Sequence, residues 1–171
     1  MPKGNITELK EQELHDTITV NCYSLVNFTK VFLPKMRERK QKSFIGNMSA
    51  FLSVGACDWL SVYSASKIFC DFISQGLSFE LRGTGIEVAC FRPAAIEASN
   101  KKHPVCLPPK EIAEACLNKA NSSIHFGALK HELMGLMVEQ LSDLWPGLGD
   151  FVATKIAGQK RTLCEEAKKS K

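Results

Sequence analysis

Ser43-Phe44-Ile45-Gly46-Asn47-Met48-Ser49 is short, apolar at its start and preceded by a basic polar turn. Such a run reads as a buried strand of a parallel sheet, centred on 44–48. Working outward from it, residues 51–58 form a loop containing Gly55, and a helix runs from about Trp59 to Arg82. Its apolar positions are Ala65, Phe69, Phe72, Ile73, Gly76, Leu77 and Leu81, and Gly83 and Gly85 stop it. Ile86-Glu87-Val88-Ala89-Cys90-Phe91 is a second strand, closed by Arg92-Pro93. On the N-terminal side Leu14, Ile18, Cys22, Leu25, Thr29, Phe32 or Leu33, and Met36 recur every three or four residues. That spacing predicts one helix over 11–40, with Pro34 loosening its last turns. Helix, strand, helix, strand is the order of a parallel α/β sheet.

Beyond the second strand the pattern continues. Residues 97–108 are a polar loop with two prolines, and Pro109 opens another helix. Residues 124–128 read as a short third strand. An amphipathic helix follows over 129–145, with Leu133, Met137, Leu141 and Leu144 on one face. Leucine and methionine at this spacing are read as core in preference to a membrane contact. The chain thus divides into 1–128 and a segment, 129–171, made of the amphipathic helix and a basic tail.

Composition bounds the function. With 44% hydrophobic and 23% charged residues, the 171-residue chain has the make-up of one globular domain. The net charge of +4 owes much to Lys35, Arg37, Arg39, Lys40 and Lys42, which suit the C-terminus of a helix. No aromatic residues interleave with them, so nucleic acid is not an expected partner. Seven scattered cysteines without a Cys-x-x-Cys pair point to buried thiols in a reducing compartment. Four histidines without His-x-x-x-His spacing make a metal site improbable. Met1-Pro2-Lys3-Gly4-Asn5 lacks the apolar core of a signal peptide, and no run of 18 apolar residues occurs.

In a parallel sheet, ligands bind beyond the carboxyl ends of the strands. Ser49, the start of the 59–82 helix and Pro93 all belong to that edge. The helix begins with Tyr63-Ser64-Ala65-Ser66-Lys67. Positions i and i+4 share a helix face, so the Lys67 ammonium is expected beside the Tyr63 phenol. A fixed cation lowers a phenol's pKa, and a tyrosine so tuned exchanges a proton with a carbonyl or alcohol oxygen. Taken alone, the pair reads as an exposed tyrosine and a solvated lysine in preference to a catalytic pair. Asn21, at the border of the first helix's stripe, is open to both a structural and a functional reading.

Tyr63-Ser-Ala-Ser-Lys67, with Gly46-Asn47-Met48-Ser49 before it, Phe91-Arg92-Pro93 after it and Val20-Asn21 through Phe32-Leu33-Pro34-Lys35-Met36 upstream, resembles the short-chain dehydrogenase/reductases over roughly residues 11–120. The tail is most similar to the 17β-hydroxysteroid dehydrogenase type 12 and very-long-chain 3-oxoacyl-CoA reductase group. The resemblance implies the C-terminal portion of a Rossmann-like parallel sheet flanked by helices, with the N-terminal nucleotide-binding half absent, since Gly4 is the only glycine before residue 46. It implies reduction of a lipid-like carbonyl, 3-oxoacyl-CoA or oxosteroid, with NADP or NAD. Tyr63 would be the acid/base. Lys67 would lower its pKa and hold the nicotinamide ribose, and Asn21 would position a water for Lys67. Pro93 and Ile96 would pack against the nicotinamide.

The match departs from the family at three places. The Gly-rich turn is missing. The family's serine, thirteen positions before the tyrosine, is Ala50 here, and Ser49 is the neighbouring candidate that strand alternation turns the other way. After Pro93, Ala94 and Ala98 stand where the family usually has glycine and threonine, with Ser99 one place late. The expected partners are the carbonyl substrate, a second copy meeting through the 59–82 helix, and a membrane surface touched by the 129–145 helix. Lys168 and Lys169 fit a dilysine retrieval pattern, which makes the endoplasmic reticulum membrane or its cytosolic face the expected location, with the cytoplasm otherwise. The competing expectation is a non-catalytic truncated paralogue that serves as an interaction or dimerisation partner.

Overall fold

The computed structural model describes residues 4–96, 106–119, 124–145, 147 and 151. The first helix is a rod in three parts: α1 (Glu11–Ile18), a π-helical turn (Thr19–Tyr23) and α2 (Ser24–Glu38), which runs on through Pro34. The π turn inserts an extra residue and so resets the helical phase. Leu14, Cys22, Leu25, Thr29, Leu33 and Met36 turn inward as expected, while Ile18, just before the turn, is swung out to solvent. After Lys40, at φ 51°, the chain enters β1 (Ser43–Met48).

A 3-10 turn (Phe51–Ser53) leads to α3 (Ser61–Glu80), and Gly83 and Gly85, both at positive φ, turn the chain into β2 (Ile86–Phe91). Then come α4 (Pro109–Asn118), β3 (Ile124–His125) and α5 (Leu129–Leu144). The third strand is shorter than the 124–128 expected, because Phe126–Ala128 already lead into α5. The expected loop at 97–108 falls largely outside the described residues, as do Ala98, Ser99 and the lysine-rich tail.

The sheet is wholly parallel, in the order β1-β2-β3, with Ser43 opposite Ile86, Met48 opposite Phe91, and Phe91 opposite His125. This is the parallel α/β architecture the element order predicts. β2 is central and covered on both faces, which is why it reads as a near-continuous apolar run. Ile86 and Val88 pack with Leu81, Leu77, Leu33, Met36 and Ile45, on the side of α2 and α3. Ala89 and Phe91 pack with Ile112 and Cys116 of α4 on the other side. Among the described residues β1 is an edge: Phe44, Gly46 and Met48 stand exposed while Ile45 and Asn47 face inward.

Two helices depart from the face their apolar residues predict: α5, and α3 over its first three turns, since Leu77 and Leu81 at its end do pack in the core. In α3 the buried side chains are Ser64, Ser66, Cys70, Asp71 and Ser74, and Ala65, Phe69 and Phe72 point outward, Phe72 being 66% exposed. Its serines donate to the helix's own carbonyls, and Ser66 and Ser74 accept from Asn21 of the π turn and Asn47 of β1, so α3 can lie close against both. In α5 the reading of Leu133, Met137, Leu141 and Leu144 as core is overturned. All four are exposed, Leu144 by 82%, and His131, Gly135 and Val138 form the buried face.

Gly135 is the reason α5 sits as it does. A Cβ there would fall inside contact distance of three Phe126 ring carbons. Gly135→Ala is therefore expected to destabilise the fold by about 1–3 kcal/mol, although alanine is the better helix former. Gly76→Ala in α3, where an added Cβ meets nothing, is expected to stabilise by about 0.5–1 kcal/mol. Urea unfolding of the two variants measures both signs, and a stabilising Gly135→Ala would mean that α5 does not rest on Phe126.

Candidate active site

Tyr63 lies in the first turn of α3 and Lys67 one turn further on, both half-buried. The helix brings them together as the i, i+4 spacing requires, with the Lys67 Nζ 5.7 Å from the centroid of the Tyr63 ring. The ammonium donates to the Met48 carbonyl at the end of β1, at 3.1 Å. It is thus held over the ring face, with one of its three donors spent.

The π turn is pinned to the same stretch of α3. Asn21 Nδ2 donates to Ser66 Oγ at 2.9 Å, and Ser66 Oγ in turn donates to the Tyr63 carbonyl at 2.7 Å. The Cys22 thiol contacts the Ser66 carbonyl. Asn21 and Lys67 both line a groove of ≈ 300 Å³ between α2 and β1, with Asn47, Met48, Phe28 and Phe32 among its other walls. Asn21 thus bonds across to α3, as the structural reading has it, and also lines the space in front of Lys67.

Ser49 is buried, in phase with Ile45 and Asn47, and its hydroxyl donates to the Lys67 carbonyl at 2.9 Å. Ala50, extended at φ −155°, takes the alternate side. The hydroxyl of Ser49 thereby buttresses α3, with its proton committed to the helix backbone. Pro93 is buried at the end of β2 and its carbonyl accepts from the Phe51 N–H at 2.9 Å, which ties the turns after β1 and β2 together. Ile96 is 41% exposed and pairs with Leu107. Neither lines the groove.

The electrostatics differ from expectation in one respect. Burial pushes the Tyr63 phenol above its ordinary range, the opposite of the lowering expected from Lys67. The cause is geometric, since the ammonium is turned to Met48 and no cation offsets the desolvation. A raised phenol keeps its proton through neutral pH and is a weaker acid than a free one. Tyr63 should therefore favour folding most below about pH 10 and lose that contribution as the pH climbs through its raised value. The chain has two tyrosines, so the difference between wild-type and Tyr63→Phe phenolate absorbance isolates Tyr63. A midpoint above about 10 is expected, and one below about 9 would show Lys67 prevailing.

Three charged residues escaped the sequence reading. Arg92 Nε donates to Asp71 Oδ2 at 2.9 Å and its Nη1 to Glu139 Oε1 at 2.7 Å, joining β2, α3 and α5. An acid in the middle of a helix that reads as apolar was the available signal for Asp71. The thiols are mostly buried: Cys70 and Cys90 meet at 3.9 Å, and burial raises Cys22 and Cys116. Among the described residues, no cluster of His, Cys, Asp or Glu is placed to hold a metal, and no helix is long and apolar enough to cross a membrane.

Comparison with known proteins agrees with this geometry. Residues 1–105 match the family described as short chain dehydrogenase. A very-long-chain 3-oxoacyl-CoA reductase of Neurospora crassa is 32% identical over 120 residues, which cover 67% of this chain and 36% of the relative. A 17-beta-hydroxysteroid dehydrogenase type 3 of Danio rerio is 26% identical over 136 residues, covering 77% and 44%. The chain thus spans less than half the length of these two curated relatives. A solved short-chain dehydrogenase from Streptomyces avermitilis shares the fold at a TM-score of 0.65 and 22% identity, over 87% of this chain and 66% of that one. With the parallel sheet, the Tyr63–Lys67 turn and the matched stretch in agreement, the chain belongs to the short-chain dehydrogenase family.

Proposed function

We propose that the chain carries the catalytic half of an NAD(P)-dependent oxidoreductase that reduces a lipid-like carbonyl, of the 3-oxoacyl-CoA or oxosteroid kind. The observation that carries this reading is the turn from Tyr63 to Lys67, with Asn21 pinned to it through Ser66 and sharing a groove with Lys67. In this role Tyr63, a protonated phenol, donates its proton to the carbonyl oxygen as that oxygen gains charge. Lys67 has two ammonium hydrogens beyond the one on Met48, a donor set that fits the hydroxyls of a nicotinamide ribose. A nicotinamide cofactor, when bound, supplies the hydride. The residues fit the ribose end of such a group; a Gly-rich cradle for its pyrophosphate is not among the residues of this sequence.

The relatives named above support the substrate class by their names alone. Titrating the purified chain with NADPH and with NADH, and following nicotinamide fluorescence, tests the reading and chooses the cofactor. Saturable micromolar binding that Lys67→Met weakens at least about tenfold is expected. Absence of binding to either cofactor would favour the second reading, an interaction partner without turnover. The observation behind that alternative is the pair Ser49–Ala50, where the one hydroxyl is turned onto α3.

Two surfaces fit the partners expected. Ile68, Phe69, Phe72 and Phe79 on the outer face of α3 are exposed and suit a second copy of the chain. The outer face of α5 is a stripe of Leu129, Leu133, Leu136, Met137, Leu144 and Trp145, followed in sequence by Lys160, Arg161, Lys168, Lys169 and Lys171. An apolar stripe with a basic continuation suits the anionic surface of a membrane, at the endoplasmic reticulum in this proposal. Sedimentation with and without anionic vesicles reads both. Loss of vesicle binding in Leu133→Asp/Met137→Asp and loss of dimer in Phe72→Asp are expected, and a monomer that ignores vesicles would refute both surfaces.

A further inference from the structure

The inner face of α5 is bolted to the carboxyl edge of the sheet at successive turns. At its start the Glu132 carboxylate accepts from the Phe126 N–H at 3.2 Å and from Lys119 Nζ at 3.1 Å. Two turns on, Glu139 takes the Arg92 guanidinium. Next to Glu132 lies His131, whose side chain is fully buried. Its Nδ1 accepts the Ala94 N–H at 3.2 Å, so the ring's hydrogen is on Nε2. Ala94 packs in the cluster formed by Phe51, Phe126 and Val138, together with Met134 of α5.

Ala94 sits between Pro93, held by the Phe51 N–H, and Ile96, paired with Leu107. The short turn of Phe51–Ser53 that reaches Pro93 also packs on α3, the helix of Tyr63. One imidazole therefore holds the segment that follows β2. A helix outside the stretch that matches the family, residues 1–105, supplies that imidazole. The Ala94 N–H is half-buried, so losing its acceptor removes a restraint on the turn and lets it move toward water.

We propose that His131 is a positioning residue: it sets the path of Pro93–Ile96 through the Ala94 N–H, and so fixes the turn at the carboxyl edge of the sheet, the edge at which a nicotinamide ring would be received. The second half of this statement rests on the proposed function; the first does not. His131→Leu keeps much of the volume and removes the acceptor. His131→Asn places Oδ1 near the position of Nδ1 and retains it. Both are made in the full chain, and their unfolding in urea is measured so that loss of fold is separated from loss of position.

In His131→Leu the Ala94 amide is expected to exchange with solvent at least about tenfold faster, and NADPH affinity to fall by about tenfold. In His131→Asn both are expected to stay within about threefold of wild type at similar stability. Equal behaviour of the two variants, or an Ala94 amide as protected in His131→Leu as in wild type, would overturn the proposal. A wild-type chain that binds no NADPH would overturn the cofactor reading, and Ala94 exchange alone would then decide the hold of His131 on the turn.

Discussion

Asp71→Ala is expected to lower the unfolding free energy by about 3–5 kcal/mol, the usual cost of removing one partner from a buried ion pair. Asp71 is 3% exposed in its side chain and Arg92 14%, so neither can turn to water. The carboxylate takes Arg92 Nε through Oδ2 and the Cys90 thiol through Oδ1. Without it the guanidinium keeps Glu139, which is 38% exposed, and its place 5.8 Å over the Phe126 ring. Glu139→Gln should therefore cost far less, about 1 kcal/mol or under, as for pairs that water already reaches. Denaturant unfolding of the two variants makes the comparison. Equal, small losses would show that Arg92 is anchored elsewhere and that α3, β2 and α5 are not tied through it.

The element order was legible because each element carries its own local signal. The run at 86–91 is apolar on both faces and bounded by Gly85 and Pro93, and the strand occupies those residues. Pro109 at a first turn marked α4, which begins there. The facing of α3 and α5 was not legible for a shared physical reason. Periodicity identifies a stripe but not which neighbour it meets: in α5, and in α3 as far as Phe72, apolar residues face outward while small or polar residues take the inner side, whereas Leu77 and Leu81 at the end of α3 meet the core as expected. Ser64, Ser66 and Ser74 are buried because their hydroxyls bond to α3 carbonyls, and Gly135 because a ring needs its space.

The site was legible in its types and spacing and less so in its couplings. Tyr63 and Lys67 meet as i and i+4 must. That Asn21 reaches Ser66 depends on a π turn, which nothing in Thr19-Val20-Asn21-Cys22-Tyr23 announces. The direction of the Tyr63 shift depends on where the ammonium is tethered, and the tether is a backbone carbonyl of β1 that spacing cannot reveal. His131 and Glu139 lie far along the chain from the turn they hold, so no local pattern points to them.

If Tyr63 is the proton donor, its loss should cost about a hundredfold or more in turnover, the usual scale for a positioned general acid. Tyr63→Phe is a mild test of structure, since the Tyr63 ring stays and only a hydroxyl goes. A raised phenol also predicts that the rate holds through neutral pH and falls only on the alkaline side, as the proton is lost. The most direct measurement is therefore the NADPH-dependent reduction of a 3-oxoacyl-CoA by the purified chain, read as loss of nicotinamide absorbance in the wild type and in Tyr63→Phe. Turnover in the wild type with at least about a hundredfold less in Tyr63→Phe is the predicted result. Equal rates in the two proteins, or no turnover in either, would contradict it.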